Sequence, residues 1–262
     1  MGEKKVPQRQ DNCYLVFPAY NEEANIQKLL EAWYPVAEAL GPESRILVLD
    51  DGSRDRTAEI LNNWAQTHPQ LLVYSLPNKG HGPTVLRAFD LALEQGADYV
   101  FQTDSDGQTQ AEDFWKLWEA RGDYELLAGR RQKREDGLQR RMVSWVLSLV
   151  LLLFYRVWVA DSNVPFRLYP RGILEILLGG FEDRNFALPN ACMMALSRRL
   201  NLRIRRIPIR FRPRQGGKNT INCRRIFAIG LGALKAFHRQ GKNWRAYEGE
   251  ARSRLQAWRE GR

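Results

Sequence analysis

One pattern dominates the first half of the chain. A short apolar run ends in a polar or acidic segment, and apolar residues at helical spacing follow. Cys13–Phe17 (CYLVF) stops at Pro18. Arg45–Leu49 (RILVL) stops at Asp50-Asp51-Gly52-Ser53. Leu71–Leu76 is a third run, and Asp98–Gln102 (DYVFQ) leads directly into Thr103-Asp104-Ser105-Asp106. Apolar runs of this length, bounded by turn formers, read as buried strands. Between them, Glu22–Leu40 ends before Gly41-Pro42, Asp55 can cap a helix reaching Thr67, and Pro83–Gln95 precedes Gly96; all three read as helices. Alternating strands and helices imply crossover units, hence an α/β fold with a mostly parallel sheet flanked by helices. Such sheets bind ligands beyond the carboxyl ends of their strands, and PAYNEE, DDGSRD and DSDGQ all fall there.

The second half is less regular. Leu126–Gly129 and Val164–Tyr169 read as strands, Lys133–Arg141 as a charged loop, and Arg203–Phe211 (RIRRIPIRF) as a strand with one polar face. Met142–Tyr155 holds 14 residues without a charge and follows Arg140-Arg141. A bilayer span needs about 20 apolar residues, so the run reads as a core helix or as a helix lying in a membrane interface. Pro213–Asn222 is a Gly-rich basic loop, Ile226–Phe237 an apolar helix, and the segment from Gln240 onward an exposed charged tail. The expected division is an α/β domain over 1–222, including the apolar helix 142–160, and a basic helical extension over 223–262.

Charge is placed unevenly. Ser197–Arg262 carries 19 Lys/Arg against 3 Asp/Glu, within a net charge of +10 for the whole chain. Nucleic acid, a phospholipid surface and a phosphorylated substrate are all suitable partners for such a segment, and a solvated basic face is the plain alternative. No nucleic-acid-binding motif accompanies it. Cys13, Cys192 and Cys223 lack metal-ligand spacing and are odd in number, which fits a reducing cytosol. Met1–Asp11 is polar and does not read as a secretory leader.

Asp104 and Asp106, one residue apart after an apolar strand, can converge on one hard cation. Mg²⁺ or Mn²⁺ takes oxygen ligands and shares them with substrate phosphates. Gln108 offers a further neutral oxygen. A solvated acidic turn is the alternative, and the strand-end position argues against it. Asp50 and Asp51 can accept hydrogen bonds from a base or ribose. Pro18, Tyr20 and Glu22 form the first strand-end loop, where Tyr20 can stack on a ring. Asn78–Pro83 is Gly-rich but lacks the phosphate-loop and dinucleotide signatures, and His81 within it reads as structural.

With PAYNEE, VLDDGSRDRT, NKGHGPT and DSDGQ in this order, the chain resembles family 2 glycosyltransferases over roughly Cys13–Asn222. The segment Asp161–Tyr169 (DSNVPFRLY) and Pro213–Lys218 (PRQGGK) resemble the polyprenyl-phosphate branch, which includes dolichyl-phosphate sugar synthases. Asn219 and Thr220 depart from that branch's basic loop. The resemblance implies a GT-A fold, a UDP- or GDP-sugar donor, and metal and diphosphate ligands Asp104, Asp106 and Gln108. It implies a nucleotide pocket of Pro18, Tyr20, Glu22 and Asp51, phosphate-facing Arg130 or Arg131, and a basic loop with Arg214 and Lys218. An acidic base pair common in members that act on hydroxyls is replaced by Phe186–Asn190, with Asp183 as a displaced candidate. The expectation is an inverting hexosyl transfer to a polyprenyl phosphate by a cytoplasmic protein held peripherally on an anionic membrane. The alternatives are transfer to a hydroxyl acceptor and a non-catalytic membrane-binding relative.

Overall fold

The computed structural model describes residues 11–131, 138–159, 161–212 and 223–262, with the backbone alone over 138–143 and 223–233. The predicted alternation appears as β1 (Cys13–Ala19), α1 (Ile26–Ala39), β2 (Arg45–Asp50), α2 (Thr57–Ala65), β3 (Leu71–Ser75), α3 (His81–Glu94) and β4 (Tyr99–Thr103). Then come α4 (Phe114–Glu119), β5 (Leu126–Arg131), α5 (Leu138–Tyr155), β6 (Phe166–Pro170), α6 (Arg171–Gly179), α7 (Pro189–Arg199), β7 (Ile204–Ile209) and α8 (Cys223–Glu260).

The strands form one sheet in the order β3-β2-β1-β4-β6-β5-β7. All neighbours are parallel except β6, which runs against both β4 and β5. The reversal follows from the connection. The chain leaves β5 at its carboxyl end, and β6 begins with Phe166 opposite Thr103, the last residue of β4. The segment holding α5 therefore starts and finishes at the same end of the sheet, so β6 has to return antiparallel.

Alternate strand residues feed two cores, as expected of strands covered on both faces. Val16, Leu47 and Val100 pack with α3, α6, α7 and α8. Leu15, Phe17, Val48 and Phe101 pack with α1 and α4. In the second core Trp33 stacks on Phe101 with ring centroids 5.2 Å apart and meets Phe17 edge-on at 5.3 Å.

The exposed tail expected from Gln240 is corrected by the structure. Helix α8 continues to Glu260 and buries Trp244, Ala251 and Leu255. These residues are spaced by 7 and then 4, so they share one helical face while the charges point outward. Glycine permits the close approach: a Cβ at Gly180 would sit 2.5 Å from the Trp244 ring. Near its end, Arg259 donates two hydrogen bonds to the fully buried Glu125 carboxylate, at 2.6 and 2.8 Å. Glu125 also accepts from the Arg203 backbone N–H at 2.8 Å.

Burial alone would raise the Glu125 pKa; the bonds from Arg259 and Arg203 outweigh it and hold the carboxyl below its usual range. A depressed acid stabilises the fold above its unfolded pKa, and this contribution fades as pH falls below about 4.5. Glu125→Ala should cost about 2–4 kcal/mol in urea unfolding at pH 7, because Arg259 loses its buried partner. The difference from wild type should shrink in mildly acidic buffer.

Candidate active site

The carboxyl ends of β1, β2 and β4 open into a cleft of ≈ 340 Å³. Its walls come from the four segments that follow β1, β2, β3 and β4.

The first two of these segments are laced together. Ser53 Oγ accepts from Asn21 N–H at 2.9 Å, Thr57 Oγ1 from Glu22 N–H at 2.8 Å, and Asn21 Oδ1 from Arg54 N–H at 2.8 Å. Asn21 adopts φ +53°, a left-handed conformation that Asn tolerates better than most residues. Pro18, Tyr20, Glu22 and Asp51 all line the cleft. Tyr20 keeps an exposed ring, whereas Glu22 is buried and accepts from Asn25 Nδ2 at 2.7 Å.

Asp50 and Asp51 have different placements. Asp50 accepts from the N–H and the hydroxyl of Ser53, which closes the turn after β2. Asp51 lines the cleft, and its two oxygens accept from the N–H groups of Lys79 and Gly80, each at 2.8 Å. This pair of bonds fixes the loop that enters α3. Gly52 at φ +70° is required there, since a Cβ would come within 2.9 Å of the Asn78 backbone nitrogen.

His81, read from the sequence as structural, stands in the cleft. Its Nε2 lies 3.7 Å from Asp104 Oδ1. It is the first residue of α3, so the positive end of the helix dipole lies at the cleft, a setting that favours an anion. Asn78, Gly80, Thr84 and Ser105 join the lining and were also missed. The signals for this wall are a Gly-rich stretch before a helix and the NKGHGPT motif itself.

Asp104 and Asp106 face the same space. Ser105 Oγ donates to Pro18 O at 2.8 Å and anchors the segment to the end of β1. Asp104 is pushed up to about 6 by burial first, while His81 draws it down and the neighbouring Asp106 charge raises it. Asp104 Oδ1 is buried without a hydrogen-bond partner. Two hard oxygen donors, one of them unpaired, fit a divalent cation such as Mg²⁺ or Mn²⁺. Among the described residues no group of three or more His, Cys, Asp or Glu is assembled for a metal. Mg²⁺ commonly completes its coordination with substrate phosphate and water oxygens.

Gln108 is turned partly away. Its Nε2 donates to Arg212 O at 3.2 Å, and its own carbonyl accepts from Arg212 N–H at 2.8 Å. It ties the acidic segment to the chain leaving β7. Arg131 lies over the Phe211 ring at 4.5 Å and draws the Asp104 pKa down, whereas Arg130 is exposed on the other face of β5. Asp183 does not line the cleft. Its carboxylate pairs with Arg239 of α8 and accepts from Asn185 N–H. Arg214 and Lys218 lie outside the described residues.

Similarity to known proteins agrees with this geometry. The model of glycosyl transferase family 2 matches residues 14–176. An undecaprenyl-phosphate 4-deoxy-4-formamido-L-arabinose transferase of Pseudomonas paraeruginosa is 31% identical over 179 residues, covering 67% of this chain and 52% of its own. The chain thus spans about half the length of that curated relative. A dolichyl-phosphate beta-glucosyltransferase of Trichomonas vaginalis is 24% identical over 242 residues, covering 87% of this chain and 74% of its own. Among solved structures, glucosyl-3-phosphoglycerate synthase from Mycobacterium tuberculosis in complex with Mn²⁺, UDP-glucose and phosphoglyceric acid superposes with a TM-score of 0.62 at 18% identity. That match covers 88% of this chain and 80% of the synthase. The seven-stranded sheet with its flanking helices is the GT-A fold, and the chain belongs to glycosyl transferase family 2, whose members are glycosyltransferases.

Proposed function

We propose that this protein transfers a hexose from a UDP- or GDP-sugar to a polyprenyl phosphate, with inversion at the anomeric carbon and with Mg²⁺ or Mn²⁺ bound at Asp104 and Asp106. The observation that carries the reading is the pair of carboxylates at the end of β4, set in one cleft with Asp51, Glu22 and the N-terminal end of α3. A bound cation would offset the charge of the departing diphosphate. The chain's own groups do the rest. Tyr20 offers a ring face to the base, and the N–H groups at the start of α3 add positive potential near the diphosphate. Asp51 holds the loop that aims them.

The acceptor phosphate attacks the anomeric carbon. The new bond runs from that carbon to the acceptor oxygen, the bond to the diphosphate breaks, and the nucleoside diphosphate leaves with the electron pair. A phosphate is already anionic at neutral pH, so no side chain needs to take a proton. This agrees with the pairing of Asp183 to Arg239 and with relatives named for undecaprenyl and dolichyl phosphate.

The test compares a short-chain polyprenyl phosphate with the matching polyprenol under Mn²⁺. The phosphate should be glycosylated and the alcohol not, and Asp183→Asn should retain activity. Transfer to the alcohol that is lost in Asp183→Asn would establish the hydroxyl-acceptor reading instead.

A further inference from the structure

Helix α5 is packed on one side and bare on another. Leu151 and Tyr155 enter the core and Ser148 is buried beside them. On the opposite side Trp145, Val146, Leu149, Leu152 and Leu153 are exposed, Trp145 by 57% and Leu153 by 70%. At about 100° per residue these five fall within an arc of about 120°. Trp158, 50% exposed, extends the patch past the end of the helix. Scattered exposed apolar residues are ordinary, but a contiguous stripe of leucines with a tryptophan toward each end marks an interaction surface.

The charges around the stripe say what covers it. Residues 138–160 contain Arg140, Arg141 and Arg156 and no Asp or Glu. Helix α8 runs alongside, with the His238 ring 5.8 Å from Phe154. Its residues 223–247 hold six Lys/Arg and no Asp or Glu. Arg156 and Lys235 are exposed, and so is the apolar Leu234 beside Lys235. A two-fold contact with a second copy would set one basic rim against another. An anionic surface with an apolar interior complements both features, and tryptophan and arginine favour its headgroup layer. No helix among the described residues is long and apolar enough to cross a membrane. A helix of 18 residues can instead lie along the surface for about 27 Å.

We propose that the outward face of α5, from Trp145 to Leu153 with Trp158, is a docking surface for an anionic lipid bilayer. The helix lies in the plane of the headgroups. The segment holding α5 begins and ends at the carboxyl edge of the sheet, the edge on which the cleft opens.

Co-sedimentation of the full chain with phosphatidylcholine vesicles containing about one third phosphatidylglycerol tests this surface. Wild type should bind, more weakly to phosphatidylcholine alone and more weakly as salt rises. The triple variant Trp145→Gln, Leu152→Ser, Leu153→Gln should bind at least about tenfold less, with an unchanged melting temperature because these side chains are exposed. Arg156→Glu should weaken binding by about threefold to tenfold. Unchanged binding by the triple variant would overturn the proposal. So would a dimer in sedimentation velocity that the same variant dissociates, since a second copy would then be the occupant. Donor binding measured without vesicles separates this surface from the reaction: loss of one leaves the other standing.

Discussion

Asp106→Ala is expected to lower metal-dependent turnover of the nucleotide sugar by on the order of 10²–10³ or more, the range seen when one preorganised group facing developing charge is removed. Asp106 is partly exposed, and its carboxylate accepts a turn bond from Gln108 N–H at 3.2 Å. Losing that contact should change stability by only about 1 kcal/mol. Steady-state kinetics across a Mn²⁺ titration, with urea unfolding of the same samples, separates the two effects. A variant that remains folded and keeps full activity would remove Asp106 from the site.

The second large effect has opposite signs for stability and function. Asp104 is a carboxyl raised to about 6, from an ordinary 3.8, mainly by burial. The folded protein therefore holds its proton more tightly than the unfolded chain. The associated stabilisation is complete below about pH 3.8 and is lost as pH rises through about 6. At pH 8 and without metal, the partly buried charge lowers stability by an amount on the order of 1 kcal/mol. Asp104→Asn should accordingly raise the metal-free melting temperature at pH 8 by a few degrees and change it little near pH 4. The same substitution should abolish the further rise that Mn²⁺ gives wild type, and with it metal-dependent turnover. Thermal melts of both proteins at the two pH values, with and without Mn²⁺, check each part.

The cleft end of the sheet was legible because its strands are short apolar runs cut off by acidic or glycine-containing segments. Such runs have few ways to bury themselves, so β1, β2 and β4 and the carboxylates after them could be placed from order alone. The antiparallel course of β6 was not legible. It depends on where α5 begins and ends, which no local pattern records. The extent of α8 was obscured by its many charges, although the spacing of Trp244, Ala251 and Leu255 carried the helical period throughout. His81 reads as structural from sequence because its loop matches no phosphate-binding signature; only the folded path of the loop brings the ring within reach of Asp104. Asp50 and Asp51 are identical in sequence terms and separate only when one is drawn into the turn with Ser53. The pairing of Asp183 with Arg239 joins residues 56 positions apart, a distance over which sequence spacing says nothing about contact.

On the proposed function, this cleft binds a nucleoside-diphosphate sugar through a divalent cation. Isothermal titration of UDP- and GDP-sugars into the full chain, with Mn²⁺ and then with a chelator, tests it most directly. Saturable binding of one of the two nucleotide sugars is expected, requiring Mn²⁺ and lost in Asp106→Ala. Binding that is indifferent to the chelator, or no binding of either donor with Mn²⁺ present, would contradict it.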